Sequence, residues 1–425
     1  MKIIKTDVGI LCQYFYPEHV SSATLPTELA IGLKERGLSV EVICGYPNEY
    51  QSESKQKVRK KENIDGVIVN RVKYTTFNNK SKVGRMLNFF SFFFSVTTKF
   101  FYLKKFSSLI VYSNPPILPL IPYAFNKLFG TRFIFVAFDI WPDNGLKLNG
   151  IKENGIIHKL MDFINKRVYG NASDVILLGN EMKEYVIENE IAPNKNNLRV
   201  IPNWFSNESA VQNKKVMNEE FKEIKKEYSF IVLYSGNMGS FQDMETILKG
   251  ILNFKNHQDV FFIFSGHGNK MNDVKEFLTK NAISNSKVFG FLTGQDYIDA
   301  LTVSDLCLVS LEKGIEGLGV PSKTYGYLAA GKPVLSIMSS RTDIARDLEQ
   351  FDCGVNVIQG DITGFEKAIN KYYTDPLLQK TASVNARKLY EAKYTKDISV
   401  GKYHEMITGK NPNSEKMWRT DYVQR

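Results

Sequence analysis

The stretch with the most chemistry in it is GVPSKTYGYLAAGKPVL, Gly319 to Leu335. A Pro-Ser-Lys turn opens what reads as a helix, Gly331 ends it, and Lys332-Pro333 leads into an apolar strand. Pro321 suits a first helical turn, Ser322 and Lys323 supply donors, and Gly319 lets the backbone adapt. A lysine at a helix start opposes the helix dipole unless an anion lies nearby. Lys323 and the free amides of such a turn would therefore seat a phosphate. The competing reading is an exposed lysine on an ordinary helix.

Two earlier turns could face the same anion. SGNMGSFQDMETIL (Ser235 to Leu248) ends a strand in Gly236 and Gly239 and opens a helix near Met244. Its glycines permit close backbone approach, and Asn237 and Gln242 add polar side chains. An ordinary strand-to-helix turn would look alike. In FSGHGNK (Phe264 to Lys270), Gly266 and Gly268 read first as a tight turn, and His267 as solvent-exposed. Neither run is the GxGxxG dinucleotide fingerprint.

In the first half, Glu18 and Asp139 each follow a strand-like run and are the candidate catalytic carboxylates. Glu18 would orient polar groups of a bound ligand. Asp139 reads equally as a turn residue before Trp141-Pro142. Ser21 and Ser22 either cap the next helix or hold a second anion. No DxD-type metal motif ends a strand, and no Ser-His-Asp set is visible.

These residues need a scaffold of alternating strands and helices. VGILCQYF (Val8 to Phe15), Val40 to Gly45, Val67 to Val72, SLIVYSNPP (Ser108 to Pro116), TRFIFVAFD (Thr131 to Asp139) and DVILLGN (Asp174 to Asn180) are apolar runs. A helix is predicted over Thr27 to Arg36. The pattern restarts with Phe230 to Gly239, Asp259 to Gly268, KVFGFL, SDLCLVSL and KPVLSIM. Apolar strands separated by helices predict βαβ units and parallel sheets. We expect two α/β, Rossmann-like, doubly wound parallel-sheet domains, residues 1–203 and 204–394, with strand ends facing each other across a ligand cleft. A last helix over about 395–425 is expected to pack back on the first domain.

The chain has 425 residues, 43% hydrophobic and 24% charged, which suits two or three globular domains. Its net charge of +10 is lopsided: residues 1–205 hold 27 Lys+Arg against 18 Asp+Glu, and the rest 28 against 27. A basic half suits an anionic lipid or a phosphorylated substrate. It lacks the interleaved aromatics of a nucleic-acid binder, so no nucleic-acid partner is expected. Cys12, Cys44, Cys307 and Cys353 form no CxxC pair and read as buried free thiols in a reducing compartment.

The N-terminus carries no long apolar signal core. MLNFFSFFFSVTTKFFYLKKF (Met86 to Phe106) groups Phe89, Phe93, Val96, Phe100 and Leu103 on one helical face, widened by Phe90, Phe94 and Phe101. Asn88 and Thr97 to Lys99 interrupt it, which makes a poor membrane span. It reads either as a helix covering a sheet or as one lying in a membrane interface. The expectation is a cytoplasmic protein, peripheral on the inner face of the cell membrane.

Together YSGNMG, FSGHG and PSKTYGYLAAGKPVL resemble the family 4 glycosyltransferases of GT-B fold, in that family's order and spacing. QYFYPEHVSSATLPTELAIGLKERGLSVEVI resembles the family's N-terminal strand–loop–helix–strand. YSNPP and FDIWPDN resemble its WcaI-like and WbuB-like branch of fucosamine transferases. The resemblance covers nearly the whole chain. It departs where the family carries a glutamate, seven residues, and a second glutamate. Leu318 and Gly326 stand there, with Glu316 near but out of register. The family's Arg and Lys after the first glycine turn correspond to Asn237 and roughly Gln242. Its histidine before the N-domain aspartate corresponds to Phe138.

The resemblance implies a retaining, metal-independent glycosyltransferase that needs no cofactor and takes a UDP-sugar as donor. The fucosamine branch implies an N-acetylated amino sugar. The acceptor would be a polyprenyl-diphosphate-linked sugar at the membrane face, in O-antigen, capsule or exopolysaccharide assembly. Gly236, Asn237, Gly239, Gln242, Gly268, Glu316, Gly319, Pro321, Ser322 and Lys323 would bind the nucleotide sugar. Glu18 and Asp139 would act at the reaction centre, and Ser21 and Ser22 would meet the acceptor. Two alternatives stand beside this reading. One is a UDP-sugar 2-epimerase of similar fold. The other, suggested by the missing glutamates, is a catalytically silent partner in membrane glycan assembly.

Overall fold

The apolar runs become strands buried on both faces, as sheets covered by helices on each side require. The computed structural model describes residues 5–47, 57–78, 81–148, 150–205, 211 and 215–409. Its first half runs β1 (Thr6–Leu11), α1 (Ser21–Glu35), β2 (Val40–Gly45), β3 (Lys61–Ile64), β4 (Val67–Val72) and α2 (Lys82–Thr97). A 3₁₀ turn over Phe100–Lys105 follows, then β5 (Phe106–Tyr112), α3 (Leu120–Phe129), β6 (Arg132–Val136), α4 (Asp143–Lys147), α5 (Ile156–Asn171), β7 (Asp174–Leu177), α6 (Asn180–Glu188) and β8 (Leu198–Val200).

The second half runs α7 (Glu219–Glu227), β9 (Phe230–Asn237), α8 (Met244–Ile251), β10 (Val260–His267), α9 (Met271–Lys280), β11 (Ser286–Phe289), α10 (Gly294–Val303) and β12 (Leu306–Ser310). It closes with α11 (Lys323–Ala329), β13 (Val334–Ile337), α12 (Asp343–Gln350), β14 (Gly354–Val357), α13 (Ile362–Tyr373), α14 (Pro376–Lys393) and α15 (Lys396–Thr408).

The first sheet orders its strands β3-β4-β2-β1-β5-β6-β7-β8, and only β3 is antiparallel to its neighbour. The second orders them β11-β10-β9-β12-β13-β14, parallel throughout. Strand order reverses between β1 and β5 in one sheet and between β9 and β12 in the other. Crevices form beyond the carboxyl ends of strands at such switch points, because adjacent connections leave in opposite directions.

Helices α2, α3 and α5 pack on one face of the first sheet, while α1 and α15 cover the other. Trp204 belongs to the core of the first domain, and Phe205 packs against the second. The chain therefore changes domains between adjacent residues. It returns after α14. Asp397 of α15 pairs with Arg36 of α1, and Ser399 Oγ donates to Pro202 O at 2.8 Å. Gly32 makes this contact close: a Cβ there would come within 2.9 Å of Val400. Residues 206–210, at the seam between domains, and 410–425, at the end of the expected last helix, lie outside the described residues.

Several local expectations need correction. Helix α1 begins at Ser21, not Thr27, and runs through Pro26. Proline costs one helical bond there, but Leu25, Leu29 and Leu33 are buried by continuing the helix. Ser21 and Ser22 are its first residues and cap nothing; the cap position is Val20, which has no side-chain acceptor. Helix α2 stops at Thr97, so the apolar stretch is a helix and a 3₁₀ turn. Asn88, Phe92, Val96, Leu103 and Phe106 are its buried residues, while Phe90, Phe94 and Phe101 face outward. Pro321 precedes α11 rather than opening it, with Ser322 as the cap position. Strands β3, β8 and β14 are short and carry too little alternation to be legible. All four cysteines are free and buried, and burial pushes the Cys44, Cys307 and Cys353 thiols up to about 12.

Candidate functional site

Strand β9 ends in Gly236-Asn237, and α11 begins beside it. Gly236 has φ +134°, and a Cβ there would lie 3.1 Å from Lys323 Cε, so glycine leaves the lysine its path. Lys323 Nζ donates to Tyr234 Oη at 2.6 Å and sits 3.8 Å from the ring centroid. Asn237 O accepts from the same ammonium at 3.3 Å. No ion pair reaches Lys323 among the described residues. Burial without a counter-charge pushes its pKa down to about 7. The amides of Ser322 and Lys323 make no hydrogen bond to any described residue. A cation and open N–H groups thus converge at the switch point, an arrangement that fits a diphosphate.

The glycine turns divide differently from expectation. Met238 N donates to His267 O at 2.7 Å, and Gly239 N donates to Gln242 Oε1 at 2.9 Å, so both amides are already used. At Gly268 (φ +132°) a Cβ would stand 2.4 Å from Met238 O, so packing of the two turns on each other explains this glycine. Gly319 faces open space. Glu316 is held by Gln359 Nε2 at 3.3 Å. The sequence left only Lys323 as a cation, but the structure adds Lys270. Its ammonium donates to Gln242 O at 2.8 Å and pairs with Glu312 at 3.0 Å. The signal for it was its place two residues after Gly268.

The two missing glutamates have structural replacements. Leu318 is buried in the core of the first domain with Ile140 and Ile315, and Ile140 N donates to Leu318 O at 3.2 Å. A position that could have carried a carboxylate instead anchors one domain in the other. At Gly326 a Cβ would lie 2.8 Å from Tyr297 Oη and 3.2 Å from the Phe205 ring. Nothing larger fits without displacing them. The hydroxyl of Tyr297 makes no hydrogen bond to a described residue.

Across the cleft, a pocket of about 340 Å³ is lined by Tyr14, Val20, Ser22, Arg85, Phe89, Ser113, Asn114, Pro116, Asp139 and Trp141. Asp139 accepts from Ser113 Oγ at 3.0 Å and from Trp141 Nε1 at 3.2 Å. Burial raises its pKa above the ordinary carboxylate value, and these donors limit the rise. Ser22 shares the pocket. Arg85 is the only Lys or Arg on its wall among the described residues and pairs with no described carboxylate. Glu18 is 3% exposed and lies off this wall; burial raises the Cys44 and Tyr74 pKa values, and the Glu18 charge adds to both. The structure thus brings Asp139 and Ser22 together and leaves Glu18 apart. Ser21 is not on the wall either. The Ile140–Leu318 bond ties the Asp139 loop to the loop that leads into Lys323.

A second groove, of about 490 Å³ between α9 and β11, lies away from the carboxyl strand ends and includes none of these residues. Among the described residues, no cluster of three or more His, Cys, Asp or Glu could hold a metal ion. None of their helices is long and apolar enough to cross a membrane.

Residues 216–389 match the family described as Glycosyl transferases group 1, which takes in the Lys323 turn and both glycine turns. Pseudomonas aeruginosa WbjE, named a probable glycosyltransferase, is 27% identical over 61% of this chain and 64% of its own length. Escherichia coli K12 WcaI, named a putative colanic acid biosynthesis glycosyl transferase, is 25% identical over 53% of this chain and 56% of its own. The matched part therefore spans under two thirds of either relative. The fold is GT-B. Anabaena HepE in complex with UDP and glucose superposes at TM-score 0.69 with 13% identity, over 95% of this chain and all of that one. WaaG, a glycosyltransferase involved in lipopolysaccharide biosynthesis, gives TM-score 0.65 with 14% identity over 95% and 100%.

Proposed function

We propose that the chain is a retaining glycosyltransferase of surface-polysaccharide assembly. It moves a sugar, an N-acetylated amino sugar by the fucosamine-branch resemblance, from a UDP-sugar to a polyprenyl-diphosphate-linked acceptor at the cytoplasmic membrane face. O-antigen, capsule and exopolysaccharide are the product classes. One observation carries the reading: among the described residues, Lys323 is a half-buried ammonium without a counter-ion, set beside two amides without a partner at the switch point. Such a cation is costly until an anion joins it. The UDP in the HepE complex supports a uridine nucleotide, and the names of WcaI and WaaG support a bacterial surface glycan.

Transfer passes through a cationic, oxocarbenium-like state as the bond from the anomeric carbon to the diphosphate breaks. Lys323 and the amides of Ser322 and Lys323 stabilise the departing oxygens, and Lys270, paired with Glu312, stands at the neighbouring turn. The acceptor hydroxyl attacks from the leaving-group side and passes its proton to the diphosphate, which retains configuration. Asp139, fixed by Ser113 and Trp141, orients that hydroxyl. No separate base is then required, consistent with the lack of a Ser-His-Asp set.

The test is thermal stabilisation of the protein by UDP, GDP, dTDP, ADP and NAD, since a ligand of the native state raises its stability by mass action. Selective stabilisation by UDP is expected. A shift with GDP or dTDP alone would change the donor. No shift with any nucleotide would favour a silent assembly partner, the reading the Leu318 and Gly326 replacements suggest.

A further inference from the structure

We infer that the outer face built by α2, the Phe100–Lys105 turn, α3 and α5 is a docking surface for an anionic lipid bilayer. The inference deepens the lipid-linked acceptor reading and takes its purpose from it, but its observations are independent. These segments bury their inner sides in one core cluster, through Phe92, Leu103, Phe125 and Met161, so their outer sides form one surface. That surface leaves large apolar groups in water: Phe94 is 63% exposed, Phe101 72%, Leu128 66% and Ile156 88%, and Phe90 and Phe163 are exposed as well. Soluble surfaces rarely group so many.

The charge pattern selects the occupant. No Asp or Glu occurs between Asp65 and Asp139, where ten Lys and Arg stand. Lys104 Nζ lies 4.3 Å from the Phe129 ring centroid and 5.6 Å from that of Phe101, and the Arg167 guanidinium lies 4.0 Å from that of Phe163. Rings with cations resting on them suit the boundary where acyl chains meet phosphate headgroups. On α5, Asp162 is close to His158 and is the helix's only carboxylate. A second copy of the same cationic face would be repelled, so a bilayer is favoured over self-association. Arg85 and Phe89 of α2 also line the Asp139 pocket, so docking would set that pocket at headgroup level.

The experiment is co-sedimentation of the full chain with vesicles of equal phosphatidylglycerol and phosphatidylcholine, and with phosphatidylcholine alone, at low and high salt. Binding to the anionic vesicles at low salt, with release by salt, is expected. Phe94→Ser/Phe101→Ser and Ile156→Ser/Phe163→Ser should each weaken it at least tenfold while leaving stabilisation by UDP unchanged. The second pair is the sharper test, because α5 lies outside the phenylalanine-rich stretch. Equal binding to both vesicle types, or wild-type sedimentation of the α5 variant, would overturn the inference. So would a dimer in sedimentation velocity that the variants dissolve while vesicle binding is absent. Vesicle binding without a UDP shift would leave the face standing and remove the donor reading; the reverse would do the opposite.

Discussion

The ammonium of Lys323 rests 3.8 Å from the ring centroid of Tyr234 and 2.6 Å from its hydroxyl, with no described carboxylate beside it. The aromatic face and the hydroxyl hold the cation in place without neutralising it. That leaves its charge available to a bound anion and makes it sensitive to pH.

Because burial places the Lys323 pKa at about 7, UDP affinity should fall as pH rises. Only the protonated lysine attracts the diphosphate, so the loss between pH 7 and 8 should be about fivefold. Calorimetric titration of UDP against uridine checks this, since uridine should show no such slope. Lys323→Met should abolish the slope and weaken UDP far more than uridine.

The same residue links stability to pH. Its native pKa is lowered, so between about pH 7 and pH 10 the unfolded chain holds a proton that the native state lacks. Wild-type stability should rise over that window relative to Lys323→Met. The variant should have the higher Tm at pH 7 and below, and the gap should close near pH 10.

Glu181 in α6 faces Asp343 of α12 across the domain interface. Asp343 N donates to Glu181 Oε2 at 3.2 Å, while Arg341 and Arg346 pair with Glu184, Glu188 and Asp343. Burial, then the Asp343 charge, pushes the Glu181 pKa up to about 8. A raised carboxyl pKa gives stability that is complete below the unfolded value and lost as pH rises through the native one. Glu181→Gln should therefore match the wild type near pH 4 and gain on it up to about pH 8. Thermal melts over that range would show it, and parallel melts would remove the interface role.

Restoring the family glutamates should fail for steric and electrostatic reasons. Leu318→Glu buries a carboxylate in the first domain's core, and even Leu318→Ala should cost about 2–5 kcal/mol. Gly326→Glu meets Tyr297 and Phe205, with an overpacking cost of about 1–3 kcal/mol. Adding Tyr297→Ala should recover part of the second loss. Denaturant unfolding of the single and double variants measures this, and strictly additive losses would mean the two residues do not compete for space.

Arg85 and Asp139 should separate acceptor binding from turnover. Arg85→Ala should raise KM for a lipid-diphosphate acceptor about tenfold, the scale of one charge-assisted hydrogen bond, with Arg85→Lys in between. Asp139→Asn should lower kcat with less effect on KM. Both should bind UDP like the wild type. Steady-state kinetics with radiolabelled donor reads all three, and a lost UDP shift in either variant would mean the pocket belongs to the donor instead.

By itself the sequence determined the two parallel-sheet domains and the order of the turns at their strand ends. Apolar runs long enough for a strand, spaced by helix-length segments and ended by glycine, admit few other arrangements. It also singled out Lys323, because a cation at a helix start needs an anion. Tertiary structure alone decided which groups meet. Lys270 stands just ahead of α9 and Arg85 lies on α2, so no local spacing joins them to Gln242 or Asp139. Leu318 and Gly326 read as gaps in a motif until packing showed one anchoring a domain and the other yielding space to Tyr297. Glu18, beside a strand in sequence, is buried and is not among the residues that line the pocket. Chain order fixes the end of each strand, but the direction of a loop side chain depends on what packs against it.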